Sequence, residues 1–260
     1  MDKKSMEAMD RLLEIMRRLR GENGCPWDRE QNHRTLKKYL IEEAYEVLDA
    51  IDQEDDDMLV EELGDLLLQV VFHAQIGKEE GRFDFSDIAE GISEKMIRRH
   101  PHVFSPADFQ AADADAVLVK WAEIKDTEKK KGLMDVPKPF PALYRSEKLQ
   151  KNAARVGFDW QRSEDVRDKI LEELSEVDEA IVGRGDIGEE MGDLLFSVVN
   201  WCRFWHIDAE EALRDANEKF IRRFSLMEEM IAEKGLKMEK MALHEMDDFW
   251  ERAKKSMVGP

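Results

Sequence analysis

Cysteines and long apolar runs are both scarce in this chain, and their scarcity excludes several classes of protein. The 260 residues include only two cysteines, Cys25 and Cys202, which lie in unrelated contexts with neither a C-x-x-C motif nor a zinc-ligand spacing. We expect both to be ordinary free thiols. No apolar run reaches the roughly 18 residues of a membrane span, and the segment from Met1 to Ser5 lacks the apolar region of a signal peptide. We therefore expect a cytoplasmic protein with no membrane partner.

Basic residues are also too few to balance the acidic ones. The chain has 40 Lys and Arg against 59 Asp and Glu, a formal net charge of −19. Such a charge repels polyanions such as duplex DNA, whose binding depends on Lys and Arg contacts to phosphates. We therefore expect no nucleic-acid polymer as a partner. A small phosphorylated ligand remains compatible with the charge if a divalent metal bridges it to the acids.

Strand alternation is missing, whereas apolar residues recur at helical spacing along most of the chain. The sequence therefore predicts an all-α fold. The predicted helices are Ser5–Arg20, Thr35–Asp52, Asp57–Glu79, Ser86–Arg99, Asp115–Lys130, Ser163–Val182, Ile187–Trp205, Asp208–Lys234 and Leu243–Lys255.

Two pairs of acidic motifs are the most informative feature that the chain does contain. Each pair has the form E-E-x-x-E followed by E-E-x-G-D, and both are followed by an apolar helix and later by a basic triplet. The acidic positions are Glu43, Glu46, Glu62 and Asp65 in the first copy and Glu173, Glu176, Glu190 and Asp193 in the second; the basic ones are Lys95, Arg98 and Arg99, and Lys219, Arg222 and Arg223. Order, residue type and phase all recur, as expected for a duplicated domain. We predict an N-terminal domain at 1–136 and a C-terminal domain at 137–260, with a linker at 137–141 that is stiffened by its three prolines.

The acids predict a metal site in each copy. Carboxylates three residues apart share one face of a helix, so two adjacent helices direct four carboxylates at one place. The simpler alternative is a solvated acidic face, since Glu is a good helix former. However, the apolar residues after Asp65 and Asp193 predict buried helices, and acids beside a core are costly unless they are paired or bind a metal. Oxygen ligands alone favour Mg²⁺, Mn²⁺ or Ca²⁺, and the missing Glu-x-x-His argues against a di-iron bundle.

At this point the chain resembles a known family, the MazG nucleoside triphosphate pyrophosphohydrolases. The doubled motif Glu-x-x-Glu, gap, Glu-x-x-Asp carries the resemblance, and it extends over nearly the whole chain. Further matching segments are Gly24–Asp28, Gly81–Phe85, Arg98–Phe104, Val156–Trp160 and Ala216–Phe220. The resemblance implies duplicated helical bundle domains of the all-α NTP pyrophosphatase type.

The resemblance also implies an activity, the hydrolysis of a nucleoside triphosphate to the monophosphate and pyrophosphate. It implies Mg²⁺, with Mn²⁺ as a substitute, a broad range of NTPs and dNTPs and a housecleaning or regulatory role in the nucleotide pool. Glu173, Glu176, Glu190 and Asp193 are the implied metal ligands and catalytic residues of the C-terminal copy, with Glu172 or Glu189 available to orient the attacking water. The implied phosphate-binding residues are Lys219, Arg222 and Arg223, of which Lys219 and Arg222 are also catalytic.

The two copies differ at a position that bears on nucleotide binding. Seven residues beyond the metal-binding Asp of each copy, the C-terminal copy has Asn200 and the N-terminal copy has Phe72. Asn can hydrogen-bond a sugar or base, whereas Phe can only pack or stack. We therefore assign the general NTPase activity to the C-terminal copy, with Trp160 and Trp250 as candidates for base stacking. Glu43, Glu46, Glu62 and Asp65 retain every ligand, so metal binding is expected in the N-terminal copy as well.

The three-helix unit that repeats in each copy leaves much apolar surface exposed. This predicts a homodimer in which equivalent helices of the two chains complete larger bundles.

Two alternatives to nucleoside triphosphate pyrophosphohydrolysis remain open in the sequence. The first is a related enzyme, such as a dUTPase-like or phosphoribosyl-ATP-cleaving pyrophosphohydrolase. The second is a catalytically silent acidic helical scaffold that regulates a partner.

Overall fold

A computed structural model describes residues 3–105, 113–114, 116–117, 120–121, 124 and 132–257. The described residues form helices and contain no strand, which confirms the all-α prediction. The predicted helix Asp115–Lys130 lies mostly outside the described residues. The chain divides between residues 129 and 130 into two compact units, while the predicted boundary at 136/137 stays a prediction.

The N-terminal unit is built around a pair of long helices. Its described helices are α1 (Lys3–Leu19), α2 (Pro26–Glu30), α3 (Lys37–Asp52), α4 (Asp56–Glu79), α5 (Phe85–Arg99) and α6 (Pro101–Phe104). Helix α4 packs against α3 and α1. Its core consists of the buried residues Met16, Leu36, Val71, Phe72 and Ile76. Asp55 caps the N-terminus of α4, since its side chain accepts a hydrogen bond from the backbone N–H of Met58. Helix α5 is preceded by Asp84, which forms a reciprocal capping box with Asp87.

The C-terminal unit repeats this arrangement. Its described helices are α7 (Ala142–Ala154), α8 (Ser163–Glu179), α9 (Ile187–Phe204), α10 (Ala209–Glu233) and α11 (Leu243–Met257). Helix α9 packs against α8 and α7, and α10 packs against α11 through a core of Met227, Ile231, Phe249 and Ala253. Among the described helices, none combines the length and the apolarity that a membrane span needs.

Two features of the C-terminal unit differ from the predicted helices. Helix α8 ends at Glu179 rather than at Val182, because a π-helical turn, Ala180–Arg184, follows and Gly183 has a φ of 87°. Only glycine adopts such a φ readily, so Gly183 allows the chain to leave the helical path between α8 and α9 and form the hairpin. Helix α7 was not predicted. Its sequence follows the prolines at 137, 139 and 141, and Pro141 in fact takes the position before the first helical residue.

Candidate active site

The α8–α9 hairpin brings three of the predicted metal ligands together. One carboxylate oxygen from each of Glu173, Glu190 and Asp193 lies within 4.8 Å of the other two. We call these residues the C-terminal carboxylate cluster. Asp186 caps α9 by accepting hydrogen bonds from the backbone N–H groups of Gly188 and Glu189. Glu190 and Asp193 therefore lie in the first two turns of α9, where the helix dipole favours negative charge.

Glu176, the fourth predicted ligand, lies beside this cluster. A hydrogen bond with the Glu173 carboxyl raises the pKa of Glu176, and burial and repulsion from Glu173 and Glu190 raise it further. Glu173 itself is only 5% exposed. Glu176 thus adds a fourth acid beside the three of the cluster, and their mutual repulsion favours a cation there.

In this structure a lysine side chain supplies that positive charge. Lys169 lies one helical turn before Glu173 on α8, and its Nζ is 2.7 Å from Glu173 Oε1 and 2.8 Å from Glu172 Oε1. These two hydrogen bonds raise the pKa of Lys169 above its ordinary value. Sequence analysis did not identify Lys169. Its position four residues before Glu173 could have indicated the contact, because residues at this spacing on a helix are neighbours.

The residues of the cluster have the chemistry that a hard divalent cation requires. All the donors are carboxylate oxygens, the ligand type that Mg²⁺ and Mn²⁺ prefer. Two oxygens on opposite sides of one Mg²⁺ lie about 4.2 Å apart, since each Mg–O distance is roughly 2.1 Å. Because the cluster spans no more than 4.8 Å, small side-chain movements suffice to close it on an ion.

The cluster opens into a pocket of about 650 Å³, which we call the C-terminal pocket. Glu173 and Asp193 line it together with Trp160 and Asn200, two residues that sequence analysis assigned to nucleotide binding. Most of the remaining wall is apolar and includes Phe158 and Phe196. A volume of this size, with a few polar groups in an apolar wall, is typical of a small-molecule site.

A partly buried arginine, Arg203, organises the polar part of this pocket. Arg203 Nη1 donates to Asp159 Oδ2 at 3.0 Å, and Nη2 donates to the other carboxylate oxygen, Asp159 Oδ1. Arg203 also donates from Nε and Nη2 to Asn200 Oδ1, at 2.9 and 2.8 Å. Asp159, Arg203 and Gln150 line the pocket but were missed by sequence analysis. Asp159 and Arg203 are far apart in sequence, and only the tertiary fold brings them together.

The other predicted nucleotide-binding residues do not line this pocket. Lys219 and Arg222 are exposed on α10, and neither they nor Arg223 belongs to the pocket lining. Trp250 packs against the apolar core of α10 and α11, with its ring centroid 5.3 Å from that of Phe220. The roles assigned to these four residues remain predictions.

The N-terminal unit has a matching set of acids. Oxygens of Glu43, Glu62 and Asp65 lie within 4.8 Å of one another on α3 and α4, and we call these residues the N-terminal carboxylate cluster. Burial and repulsion from Asp65 and Glu46 raise the pKa of Glu43. The pKa of Glu62 is also raised, by desolvation first and then by Glu46 and Asp65. A cation is therefore favoured here too.

Comparisons with known proteins agree with this geometry. The family model of the MazG nucleotide pyrophosphohydrolase domain matches twice, at residues 31–104 and 161–225. These matches contain both carboxylate clusters. The chain is also similar along nearly its whole length to curated bacterial proteins.

Three of these relatives illustrate the similarity. The nucleoside triphosphate pyrophosphohydrolase of Escherichia coli strain K12 is 50% identical over 263 residues, which cover 97% of this chain and 99% of the relative. A Thermotoga maritima protein named nucleoside triphosphate pyrophosphohydrolase/pyrophosphatase MazG is 48% identical over 250 residues, covering 94% and 95%. A nucleoside triphosphate pyrophosphohydrolase of Mycolicibacterium smegmatis is 32% identical over 212 residues, covering 69% and 64%. The chain contains two copies of the family domain, each with its acidic helical hairpin, and it is 50% identical to the Escherichia coli relative over 97% of its length. It therefore belongs to the MazG family of nucleotide pyrophosphohydrolases.

Proposed function

We propose that the C-terminal unit hydrolyses nucleoside triphosphates to the monophosphate and pyrophosphate with Mg²⁺ as cofactor. The observation that carries this proposal is the C-terminal carboxylate cluster, which opens into a pocket large enough for a nucleoside. The near full-length relatives are named for the same activity. Mn²⁺ has the same preference for oxygen ligands and is expected to substitute.

The proposed metal ligands are Glu173, Glu176, Glu190 and Asp193. A bound Mg²⁺ would neutralise phosphate charge and lower the pKa of a coordinated water. Lys169, which bonds to Glu173 in this structure, is close enough to meet a phosphate group once the carboxylates turn to the ion. Glu172 and Glu189 neighbour the ligands in sequence, and either can orient the attacking water as a general base.

The basic triplet of α10 is proposed to neutralise the phosphates. Lys219 and Arg222 are exposed, so both are available to a ligand or to a second chain. Charge that develops on the transferred phosphate group is stabilised by donors placed in advance. Arg223 lies on the same stretch of helix and is proposed to assist.

A homodimer is the proposed assembly. Large apolar side chains remain exposed on the acidic hairpin of the C-terminal unit, including Leu171 (53%), Leu174 (46%) and Leu195 (54%). The N-terminal hairpin likewise exposes Ile41 (50%) and Val60 (73%). Large exposed apolar surfaces mark interaction sites, and a second copy of the same hairpin would complete a larger helical bundle around each site.

We further propose broad NTP and dNTP specificity, a housecleaning or regulatory role in the nucleotide pool and, accordingly, a cytoplasmic location. The N-terminal cluster is proposed to bind metal as well, and Trp250 to stack on a base.

The proposed activity is tested with a panel of ribo-, deoxy- and damaged nucleoside triphosphates, with products resolved by anion-exchange chromatography. Equimolar monophosphate and pyrophosphate that require Mg²⁺ support the proposal; diphosphate and orthophosphate contradict it. The panel also separates it from a dUTPase-like or phosphoribosyl-ATP-specific enzyme.

A further inference from the structure

A buried amide in the C-terminal pocket has a carbonyl oxygen with no partner. Gln150 lies on α7, lines the pocket and is only 7% exposed. Its Nε2 donates to the backbone carbonyl of Phe196 at 2.8 Å, which fixes the orientation of the amide. Its Oε1 is buried and has no hydrogen-bond partner among the described residues. Because a buried acceptor without a donor is destabilising, a ligand that brings an N–H to this place gains affinity.

The second amide in the pocket, that of Asn200, has its oxygen rather than its nitrogen engaged by hydrogen bonds. Asn200 Oδ1 accepts two hydrogen bonds, from Nε and Nη2 of Arg203, at 2.9 and 2.8 Å. Two bonds use both lone pairs of this oxygen. Arg203 is held in turn by the Asp159 carboxylate. The group that Asn200 can offer to a ligand is therefore its Nδ2 donor, which has no acceptor within the described part of the chain.

The N-terminal unit shows what the same position looks like without these amides. Phe72 corresponds to Asn200, and Leu36 corresponds to Val166, another residue of the pocket lining. Met16 of α1 belongs to the same buried cluster as Phe72 and Leu36, whereas in the C-terminal unit Gln150 of α7 lines the pocket together with Asn200 and Val166. Met16 and Phe72 are 1% and 3% exposed and form an apolar core. Gln150 and Asn200 thus line an open pocket in the C-terminal unit, whereas the apolar residues Met16 and Phe72 are part of a filled core in the N-terminal unit.

We propose that Gln150 and Asn200 recognise the Watson–Crick edge of a nucleobase in the C-terminal pocket. Gln150 Oε1 accepts a hydrogen bond from a base N–H, and Asn200 Nδ2 donates to a base oxygen or ring nitrogen. Arg203 and Asp159 are positioning residues that fix the Asn200 amide. The apolar side chains of Phe158, Trp160 and Phe196 supply the remaining walls. This inference rests on the proposed function, since it places the triphosphate at the carboxylate cluster that lines the same pocket.

The ligand class follows from this pair of groups. Adenine, guanine, cytosine and uracil each carry both an N–H donor and an acceptor on the Watson–Crick edge. One fixed acceptor and one fixed donor therefore admit several natural bases. A base whose N–H is replaced by N–CH₃ is rejected, because the amide oxygen then stays unpaired. Uracil gives the sharpest comparison, since N3 carries its one ring N–H on that edge and N3-methyluracil lacks it.

The experiment compares UTP with N3-methyl-UTP in the wild type and in Gln150→Met. Methionine is similar in size and forms helices well, and a buried methionine, Met16, belongs to the apolar cluster around Phe72 in the N-terminal unit. Pyrophosphate release gives kcat/KM for each substrate. We expect the wild type to prefer UTP by about tenfold to a hundredfold, the range that a lost buried hydrogen bond predicts. In Gln150→Met, this preference should fall to within about threefold of unity, mainly because UTP loses affinity.

Asn152→Leu is the matched control for a purely structural effect. Asn152 lies on the same helix and also donates its amide to a backbone carbonyl, that of Leu133 at 2.8 Å, but it does not line the pocket. We expect Asn152→Leu to keep the full preference for UTP. A preference in Gln150→Met that equals the wild-type value, or one that Asn152→Leu loses equally, overturns the inference.

Binding separates this inference from the proposed function. The dissociation constants of the α,β-methylene analogues of UTP and N3-methyl-UTP are measured by titration calorimetry with Mg²⁺, which requires no turnover. If the wild type releases no pyrophosphate from any nucleotide, the proposed function fails. The ratio of the dissociation constant of the N3-methyl analogue to that of the UTP analogue still tests the role of Gln150. A ratio above about ten in the wild type that falls close to one in Gln150→Met supports this role. The same ratio in both proteins, or no binding of either analogue, refutes it.

Discussion

Removal of the Lys169 ammonium should destabilise the C-terminal unit when no divalent metal is present. Lys169 Nζ lies 2.7 Å from Glu173 Oε1. The Glu173 side chain is 6% exposed and that of Lys169 is 32% exposed, so water screens the pair only in part. Lys169→Met keeps the length and helix propensity of the side chain but leaves Glu173 with a buried charge among other acids.

The expected magnitude lies between two known limits. Removal of one partner of a fully buried ion pair costs about 3–5 kcal/mol, whereas an exposed pair contributes about 0.2–1 kcal/mol. For this half-buried pair we expect a loss of about 1–3 kcal/mol in the free energy of unfolding. A loss of 1 kcal/mol lowers the melting temperature by about 4–8 °C in a domain of 60–100 residues and by about 2–4 °C in one of 150–250. The C-terminal unit, Lys130–Pro260, lies between these sizes, so its melting temperature should fall by roughly 3–15 °C.

The assay is thermal melting followed by circular dichroism, with EDTA and then with Mg²⁺. Lys254→Met is the matched control, because Lys254 pairs with Glu251 at the i,i+3 spacing on a surface where the two side chains are 48% and 47% exposed. The proposed Mg²⁺ would bind the folded cluster and compensate its charge in place of Lys169, so its addition should restore most of the stability lost in Lys169→Met. If Lys169→Met melts within about 1 °C of Lys254→Met in EDTA, the role assigned to this ion pair is wrong.

Three further predictions concern phosphate contacts, base contacts and pH. Lys219→Ala and Arg222→Ala should each lower kcat/KM for NTP hydrolysis by roughly a hundredfold, whereas Lys95→Ala and Arg98→Ala should change it much less; steady-state pyrophosphate release measures all four. Asn200→Asp keeps an acceptor for Arg203 but replaces the Nδ2 donor, so nucleotide affinity should fall by about tenfold or more in calorimetric titrations, and an unchanged affinity would exclude a base contact. Without metal, the raised pKa values of Glu43 and Glu176 mean that the folded state binds more protons than the unfolded state. The melting temperature in EDTA should therefore fall as the pH rises from the ordinary carboxyl value of 4.5 through the raised values. Mg²⁺ should flatten this dependence, and a melting temperature that rises over that pH window in EDTA would contradict the prediction.

The long helices of both units were predictable from sequence because their apolar residues recur at helical spacing. Helices α4 and α9 also begin at acidic caps, Asp55 and Asp186, and carry the acids within their first turns. Spacing alone therefore placed Glu190 and Asp193 on one face. Helix α7 escaped prediction because it follows three closely spaced prolines and its first turns lack a clear apolar stripe.

The pocket was predictable only in part. Asn200 was identified because it breaks the repeat at the position of Phe72, a contrast that one sequence can show. The Asp159–Arg203 pair and the orphaned oxygen of Gln150 depend on how α7, α9 and the segment before α8 meet in space. No local pattern encodes such a meeting. That Lys219 and Arg222 do not line the pocket is likewise a property of the tertiary structure, and helix periodicity does not determine it.

The most direct test of the central claim compares Asp193→Asn with Asp65→Asn, the equivalent change in the other unit. Each substitution removes one carboxylate charge with little change of shape, and each lies at the corresponding position of its carboxylate cluster. The measurement is the rate of formation of monophosphate and pyrophosphate from nucleoside triphosphates with saturating Mg²⁺. If the C-terminal unit is the general catalyst, Asp193→Asn lowers kcat by about a hundredfold or more while Asp65→Asn retains most of the activity. Near-normal turnover in Asp193→Asn, or loss of activity in Asp65→Asn alone, would contradict the assignment of catalysis to the C-terminal unit.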